Sequence, residues 1–176
     1  VAKKISDGFL IGWFQDKMEF THRALGNRSI LADPRKFEMQ KKVNSAVKYR
    51  ESFRPFAPAT LDEFVNDIFD IKNEKRKVRF MERAYHVKKK WRNQLEAVTH
   101  VDGTGRIQSV EKEVNPKFYK LISEFYNITQ VPVLLNTSFN LNGEPIVMTP
   151  EHAIRTFFTC GLDYLVLGNF LISKNK

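Results

Sequence analysis

The sequence reads as one α/β (α+β) domain, strands and helices around a single core, and three observations say so. Val131-Pro132-Val133-Leu134-Leu135 is a short continuous apolar run with β-branched residues, the pattern of a buried strand. Phe118, Leu121, Ile122 and Phe125 recur at helical spacing, marking a helix face laid against a core. The chain has 176 residues, 42% hydrophobic with fifteen Phe, which fills one core and not two comfortable ones.

In chain order, residues 1–7 read as the last turns of a helix stopped by Gly8. Phe9-Leu10-Ile11-Gly12-Trp13-Phe14-Gln15 reads as a buried strand in which Gly12 marks a bulge or a close backbone approach. The dense segment Arg23 to Ser29 follows, then apolar Ile30-Leu31-Ala32. Asp33-Pro34 caps a helix running to about Val43, with Pro at the first helical position. Phe56 to Thr60 can form a strand, and Asp62-Glu63 start a short helix ending near Phe69. Residues 72–92, rich in Lys and Arg, lack a clear period and read as a loop or flap with a short strand around Phe80.

Residues 96–110 give a hairpin signal. Ala97 to Val101 and Arg106 to Val110 alternate in polarity around Asp102-Gly103-Thr104-Gly105, whose glycines permit a tight turn. His100, Arg106 and Gln108 fall near that turn. Asn115-Pro116 opens a helix through about Tyr126, Thr149-Pro150-Glu151 opens another, and Tyr164–Leu167 and Phe170–Ile172 close the chain as short strands.

No apolar run is near the ~20 residues a membrane span needs. The start Val-Ala-Lys-Lys is neither a signal peptide nor an initiator Met, so the chain reads as part of a longer protein. The lone Cys160 excludes an internal disulfide and a thiolate cluster for zinc, which fits a reducing cytoplasm. It reads as a small packed residue near a helix end. Net charge is +9. Residues 1–92 hold 22 Lys and Arg against 12 Asp and Glu, whereas residues 93–176 hold seven against eight. The excess points to an anionic partner: nucleic acid, a nucleotide, a phosphate ester or an acidic domain.

Two features suggest a site. The strand at 131–135 stops abruptly in Asn136-Thr137-Ser138-Phe139-Asn140, and strand ends are where open sheets present polar groups to ligands. The same side chains could instead cap a local turn. Arg23 to Arg54 carries nine cations against Asp33, Glu38 and Glu51. Cations that alternate with apolar residues are drawn toward the core and need carboxylates or a bound anion. No Gly-rich phosphate loop is present, so a phosphate site must be built from side-chain cations and hydroxyls.

Taken together, these segments resemble one family. Gly12-Trp13-Phe14-Gln15, Met18-Glu19-Phe20, Arg23 through Arg35, Phe53-Arg54-Pro55-Phe56-Ala57-Pro58, Val98 through Thr104, Asn136 through Asn140 and Gly143-Glu144-Pro145-Ile146-Val147 resemble the carboxy-terminal part of the NodU/CmcH carbamoyltransferases, in order. Asp16-Lys17 and Thr21-His22 stand where that family carries Gly-Arg and Gly-Pro. The resemblance implies a YrdC-like fold, a twisted mixed sheet with helices, over residues 1–176. That superfamily is marked by Lys-x-Arg and Ser-x-Asn, supplied here by Lys48-Tyr49-Arg50 and Ser138-Phe139-Asn140.

The chemistry implied is attack of a carbamoyl group, delivered as carbamoyl phosphate, on the α-phosphorus of ATP, giving carbamoyl adenylate and pyrophosphate. ATP with Mg2+ is the expected cofactor pair; iron or another divalent metal belongs only to a separate amino-terminal Kae1-like domain, the expected partner, which transfers the carbamoyl group to a hydroxyl. Under this resemblance Lys48, Arg50, Ser138 and Asn140 are catalytic. Arg23, Arg28, Arg54, His100, Asp102, Thr104, Arg106, Asn136 and Thr137 bind carbamoyl phosphate or ATP. The expectation is spatial: the cations near position 50 face the polar pair near 139 across a pocket sized for a phosphate-bearing ligand. A basic module for RNA or another polyanion is the competing reading, carried by residues 72–92.

Overall fold

The computed structural model describes residues 1–49, 51, 54–71 and 77–174. Helix α1 (Ala2–Ser6) ends at Gly8, whose φ of 86° favours glycine. Strands β1 (Ile11–Phe14) and β2 (Arg28–Ala32) are buried throughout and pair antiparallel. Helix α2 (Phe37–Val43) runs into a π-helical turn at Asn44–Lys48. Next come β3 (Ala57–Leu61), a 3-10 turn (Asp62–Phe64), α3 (Val65–Ile68), β4 (Ala84–His86) and α4 (Lys89–Arg92). A second 3-10 turn (Glu96–Val98) leads to β5 (Thr104–Arg106) and β6 (Gln108–Val110). The chain ends with α5 (Pro116–Thr129), β7 (Val133–Ser138), α6 (Pro150–Thr159), β8 (Tyr164–Leu167) and β9 (Phe170–Ser173).

Among the described residues, seven strands form one sheet in the order β6-β3-β7-β2-β1-β8-β9, with β4 and β5 a separate pair. The β1/β8 and β3/β6 pairs are parallel and the other neighbours antiparallel, so the sheet is mixed. Helix α5 packs on β3, β7 and α1, and α6 packs on β1 and β8. The α5 stripe of Phe118, Leu121, Ile122 and Phe125 is buried, and Asn115 caps the helix by accepting from the Phe118 amide at 3.1 Å. At Gly12 a Cβ would stand 2.9 Å from the Phe139 ring, which is the close approach that glycine signals.

Three local expectations differ from what the structure shows. The 96–110 hairpin does not form: Thr99 Oγ1 donates to the Leu95 carbonyl around a 3-10 turn, and Ala97 N bonds to the Pro34 carbonyl. Its second half divides instead, β5 pairing with β4 and β6 lying parallel to β3. The helix expected from Pro34 starts at Phe37, because the Asp33 carboxylate binds Arg35 through both its amide and its guanidinium and holds an extended entry. In the flap the strand lies at Ala84–His86 and not around Phe80.

This topology brings distant segments to one sheet end. Ser138 closes β7, and β2 and β3 run antiparallel to β7 with their starts beside it. The start of β6 lies beside the start of β3. The segments before β2, β3 and β6, and the segment after β7, therefore share one rim.

Candidate functional site

Lys48 ends the π-helical turn and is buried at 5% exposure. Its ammonium donates to the Ser138 carbonyl (2.7 Å) and Oγ (3.2 Å), and to the Asn140 carbonyl (3.1 Å) and Oδ1 (2.8 Å). Ser138 Oγ donates to Asn140 Oδ1 at 2.6 Å, and Asn140 Nδ2 donates to the carbonyls of Leu141 and Glu144. The Lys and the Ser-x-Asn pair thus meet in direct contact, with no gap between them. An ammonium has three protons, so four acceptors saturate it. The cation fixes the shape of the chain leaving β7. Arg50 lies outside the described residues.

The π-helical turn is itself held. Tyr49 N bonds to the Asn44 carbonyl at 2.7 Å, and Tyr49 adopts a left-handed φ of 45°. Gly161, after α6, donates to the Ala46 carbonyl at 2.9 Å. Cys160 beside it is half-buried at the α6 C-cap, and burial pushes its thiol pKa up, which suits a packing role.

Beyond Ser138 the rim encloses a polar cavity of about 90 Å3. Arg23, Arg106, Asn136, Thr137 and Ser138 line it, with Ala24 and the Pro55–Phe56 corner. Asn136 Nδ2 donates to the Ala24 carbonyl (3.0 Å) and to Gln108 Oε1 (2.9 Å), while Gln108 Nε2 donates to the Leu25 carbonyl (2.8 Å). The other flank of this loop is clamped by Glu19, whose Oε1 accepts from the amides of Leu25 (2.7 Å), Asn27 (2.8 Å) and Arg28 (3.2 Å).

A larger cleft of about 670 Å3 adjoins, with Pro55 and Phe56 lining both. Arg54, His100 and Asp102 line it together with Phe37, Tyr49 and Val101. Asp102 Oδ1 accepts from both the amide (2.9 Å) and hydroxyl (2.7 Å) of Thr104. The Thr104 hydroxyl is thereby spent, so its 3.0 Å contact with His100 Nδ1 requires the proton on Nδ1 and leaves Nε2 as the acceptor. Burial, helped by nearby Arg106, pushes the His100 pKa down, and Thr104 holds Asp102 below the usual carboxylate range.

Arg28 faces neither cavity. Its guanidinium donates to the carbonyls of Gln15, Asp16 and Asn27 and sits 3.5 Å from the Phe14 ring centre. Burial lowers its pKa. Arg28 thus shapes the β1–β2 connection and is not among the cations brought to the rim. Asp16 itself has a φ of 41°, a left-handed conformation that glycine adopts more readily. Among the described residues of the basic stretch, Lys77 pairs with Asp62, Arg79 with Glu111 (2.6 Å) and Lys90 with Asp67, so part of that charge is met within the protein.

Sequence reasoning did not single out Glu19 or Gly161. Glu19 stood only within the motif Met18-Glu19-Phe20, which does not say that it clamps a loop; Gly161 carried no signal, because its constraint is a contact with Ala46 across the fold.

With this geometry in place, comparison with known proteins is informative. A family model described as "Carbamoyltransferase C-terminus" matches residues 2–174. Nodulation protein NolO of Bradyrhizobium diazoefficiens is 48% identical over 173 residues, covering 98% of this chain and 32% of NolO. The 3'-hydroxymethylcephem-O-carbamoyltransferase of Amycolatopsis lactamdurans is 33% identical over 165 residues, 94% of this chain and 31% of that enzyme. The chain thus spans about a third of these relatives. Full-length HypF, solved in a phosphate- and nucleotide-bound form, matches with a TM-score of 0.66 at 17% identity, over 96% of this chain and 24% of HypF, which shows a shared fold.

Proposed function

The chain belongs to the carbamoyltransferase C-terminus family, and from that premise we propose that it activates carbamoyl phosphate with ATP, forming carbamoyl adenylate as the first half-reaction of an O-carbamoyltransferase. The observation that carries the reading is the sheet end itself, where Lys48 locks Ser138 and Asn140 beside a small polar cavity with Arg23 and Arg106 in its wall. A cavity of about 90 Å3 suits a ligand of carbamoyl phosphate's size. The adjoining cleft, with apolar Phe37, Tyr49 and Val101 and cationic Arg54, suits a nucleoside with its phosphates.

In this reading carbamoyl phosphate gives up its phosphate to water, a carbamoyl oxygen attacks the α-phosphorus of ATP, and the bond to the β-phosphate breaks with loss of pyrophosphate. Such transfers need positioning and charge neutralisation more than covalent help. Arg23 and Arg106 would hold phosphate oxygens in the small cavity, which Ser138 also lines, and Arg54 the triphosphate across the Pro55–Phe56 corner. Mg2+ would enter with ATP, as the charge of the triphosphate asks. Transfer to an acceptor hydroxyl would fall to a Kae1-like domain in the part of such a protein that this chain, about a third as long as its relatives, does not span.

The test is to incubate the full-length protein with ATP, Mg2+ and carbamoyl phosphate and follow pyrophosphate and carbamoylated AMP. Carbamoyl-phosphate-dependent release of both supports the reading; ATP turnover indifferent to carbamoyl phosphate overturns it.

A further inference from the structure

Asn136 is 1% exposed, and its carboxamide has an orientation that can be deduced. Gln108 Nε2 is committed to the Leu25 carbonyl, which makes Gln108 Oε1 the end that meets Asn136. Asn136 must then present its NH2 to two oxygens, Gln108 Oε1 and the Ala24 carbonyl; turned over, it would set oxygen against oxygen twice. Its Oδ1 is left as a buried acceptor with no donor among the described residues, on a side chain that lines the polar cavity. Buried acceptors are rarely left open, and one held in a fixed orientation beside a cavity asks for a donor from a ligand.

We propose that Asn136 Oδ1 accepts an N–H from the carbamoyl NH2 and so makes this cavity select carbamoyl phosphate over other acyl phosphates. The inference rests on the reading of the cavity as the carbamoyl phosphate site and adds what that reading lacks, a group that distinguishes NH2 from CH3. Acetyl phosphate has nearly the same size and the same phosphate, so cations alone bind the two alike. A site built to hydrogen-bond an N–H disfavours the analogue without it, because the buried acceptor then stays unpaired.

The test is calorimetric binding of carbamoyl phosphate and acetyl phosphate to the full-length protein. The wild type is expected to prefer carbamoyl phosphate, and Asn136→Ala to reduce that preference by about tenfold or more. Glu19→Ala loosens the same loop but leaves the Asn136 carboxamide and both its acceptors in place, and is expected to retain the preference. Equal affinity of the wild type for the two ligands overturns the proposal whether or not the variants fold. Parallel weakening of both ligands in Asn136→Ala, or loss of preference in Glu19→Ala to the same extent, also overturns it by making the role of Asn136 structural. If the wild type binds neither, the functional reading fails and the proposal with it.

Discussion

The Lys48 ammonium lies 2.7 Å from the carbonyl oxygen of Ser138, a contact that ties the end of a π-helical turn to the end of a strand 90 residues later in the chain. It turns a sequence pairing, Lys-x-Arg with Ser-x-Asn, into a mechanical one. The lysine is consumed in holding the exit from β7, and the rim of the cavity depends on that exit.

Replacing Lys48 by Met keeps the bulk but removes the ammonium from the Asn140 carbonyl and from the Ser138 carbonyl, which the Asn140 amide also reaches at 3.2 Å. Each buried acceptor left open costs about 1–3 kcal/mol, offset in part by the apolar side chain. The denaturant midpoint is expected to fall with its slope unchanged, and carbamoyl-phosphate-dependent pyrophosphate release to fall at least about tenfold in line with that loss. Ser138→Ala, which forfeits only hydroxyl contacts, is expected to cost about 1 kcal/mol. A Lys48→Met protein of wild-type stability and turnover would refute the role given to the ammonium.

Gly161→Ala tests the same device from behind. A Cβ at 161 would stand 2.8 Å from Ala46 Cβ and 2.9 Å from Ala46 Cα, closer than such atoms come, and Ala46 lies two residues before Lys48 in the π-helical turn. The turn must shift, at a cost of about 1–3 kcal/mol. Thermal unfolding should show the loss and activity should follow, since Lys48 moves with the turn; an unshifted melting temperature speaks against the contact.

Sequence periodicity revealed the elements that local chemistry decides. The α5 stripe, the Thr149 and Asn115 caps and the β7 run all carry their own signals and appear where expected. The hairpin at 96–110 was misread because alternation reports that a strand has two faces and not which strand it pairs with; β6 found β3 instead. Within the site, Ser138 and Asn140 were legible as polar residues ending an apolar run. The carbonyl contacts of Arg28 were not legible, because a cation held by backbone carbonyls and one held for a ligand read alike in one dimension. The Glu19 clamp and the Gly161 contact are set by distances between segments, which composition and spacing do not record.

His100 gives the fold a pH dependence of definite sign. Burial holds its folded pKa below the unfolded value of about 6.5. Between the two values the unfolded chain binds more protons, so stability present above about pH 6.5 is lost as pH falls through the folded pKa. Urea midpoints at pH 7.5 and below pH 6 are expected to differ less in His100→Gln than in the wild type. The same acid loss in both proteins would show that other groups are responsible.

Glu19 is expected to act on the cavity without touching it. Its Oε1 gathers the amides of Leu25, Asn27 and Arg28, and the loop so held carries Arg23 to the cavity wall and the Ala24 carbonyl to Asn136. Hydrogen bonds to a charged acceptor are worth about 1.5–3 kcal/mol each, of which a solvated loop recovers part on release. Glu19→Gln keeps an acceptor oxygen but loses the charge that roughly doubles such bonds, so stability should fall in the order wild type, Gln, Ala. A freed loop presents Arg23 in many positions, so the KM for carbamoyl phosphate should rise more than kcat falls. Because KM does not depend on how much of the enzyme is folded, it separates positioning from unfolding: a Glu19→Ala protein that is destabilised but binds carbamoyl phosphate as the wild type does would confine Glu19 to the fold.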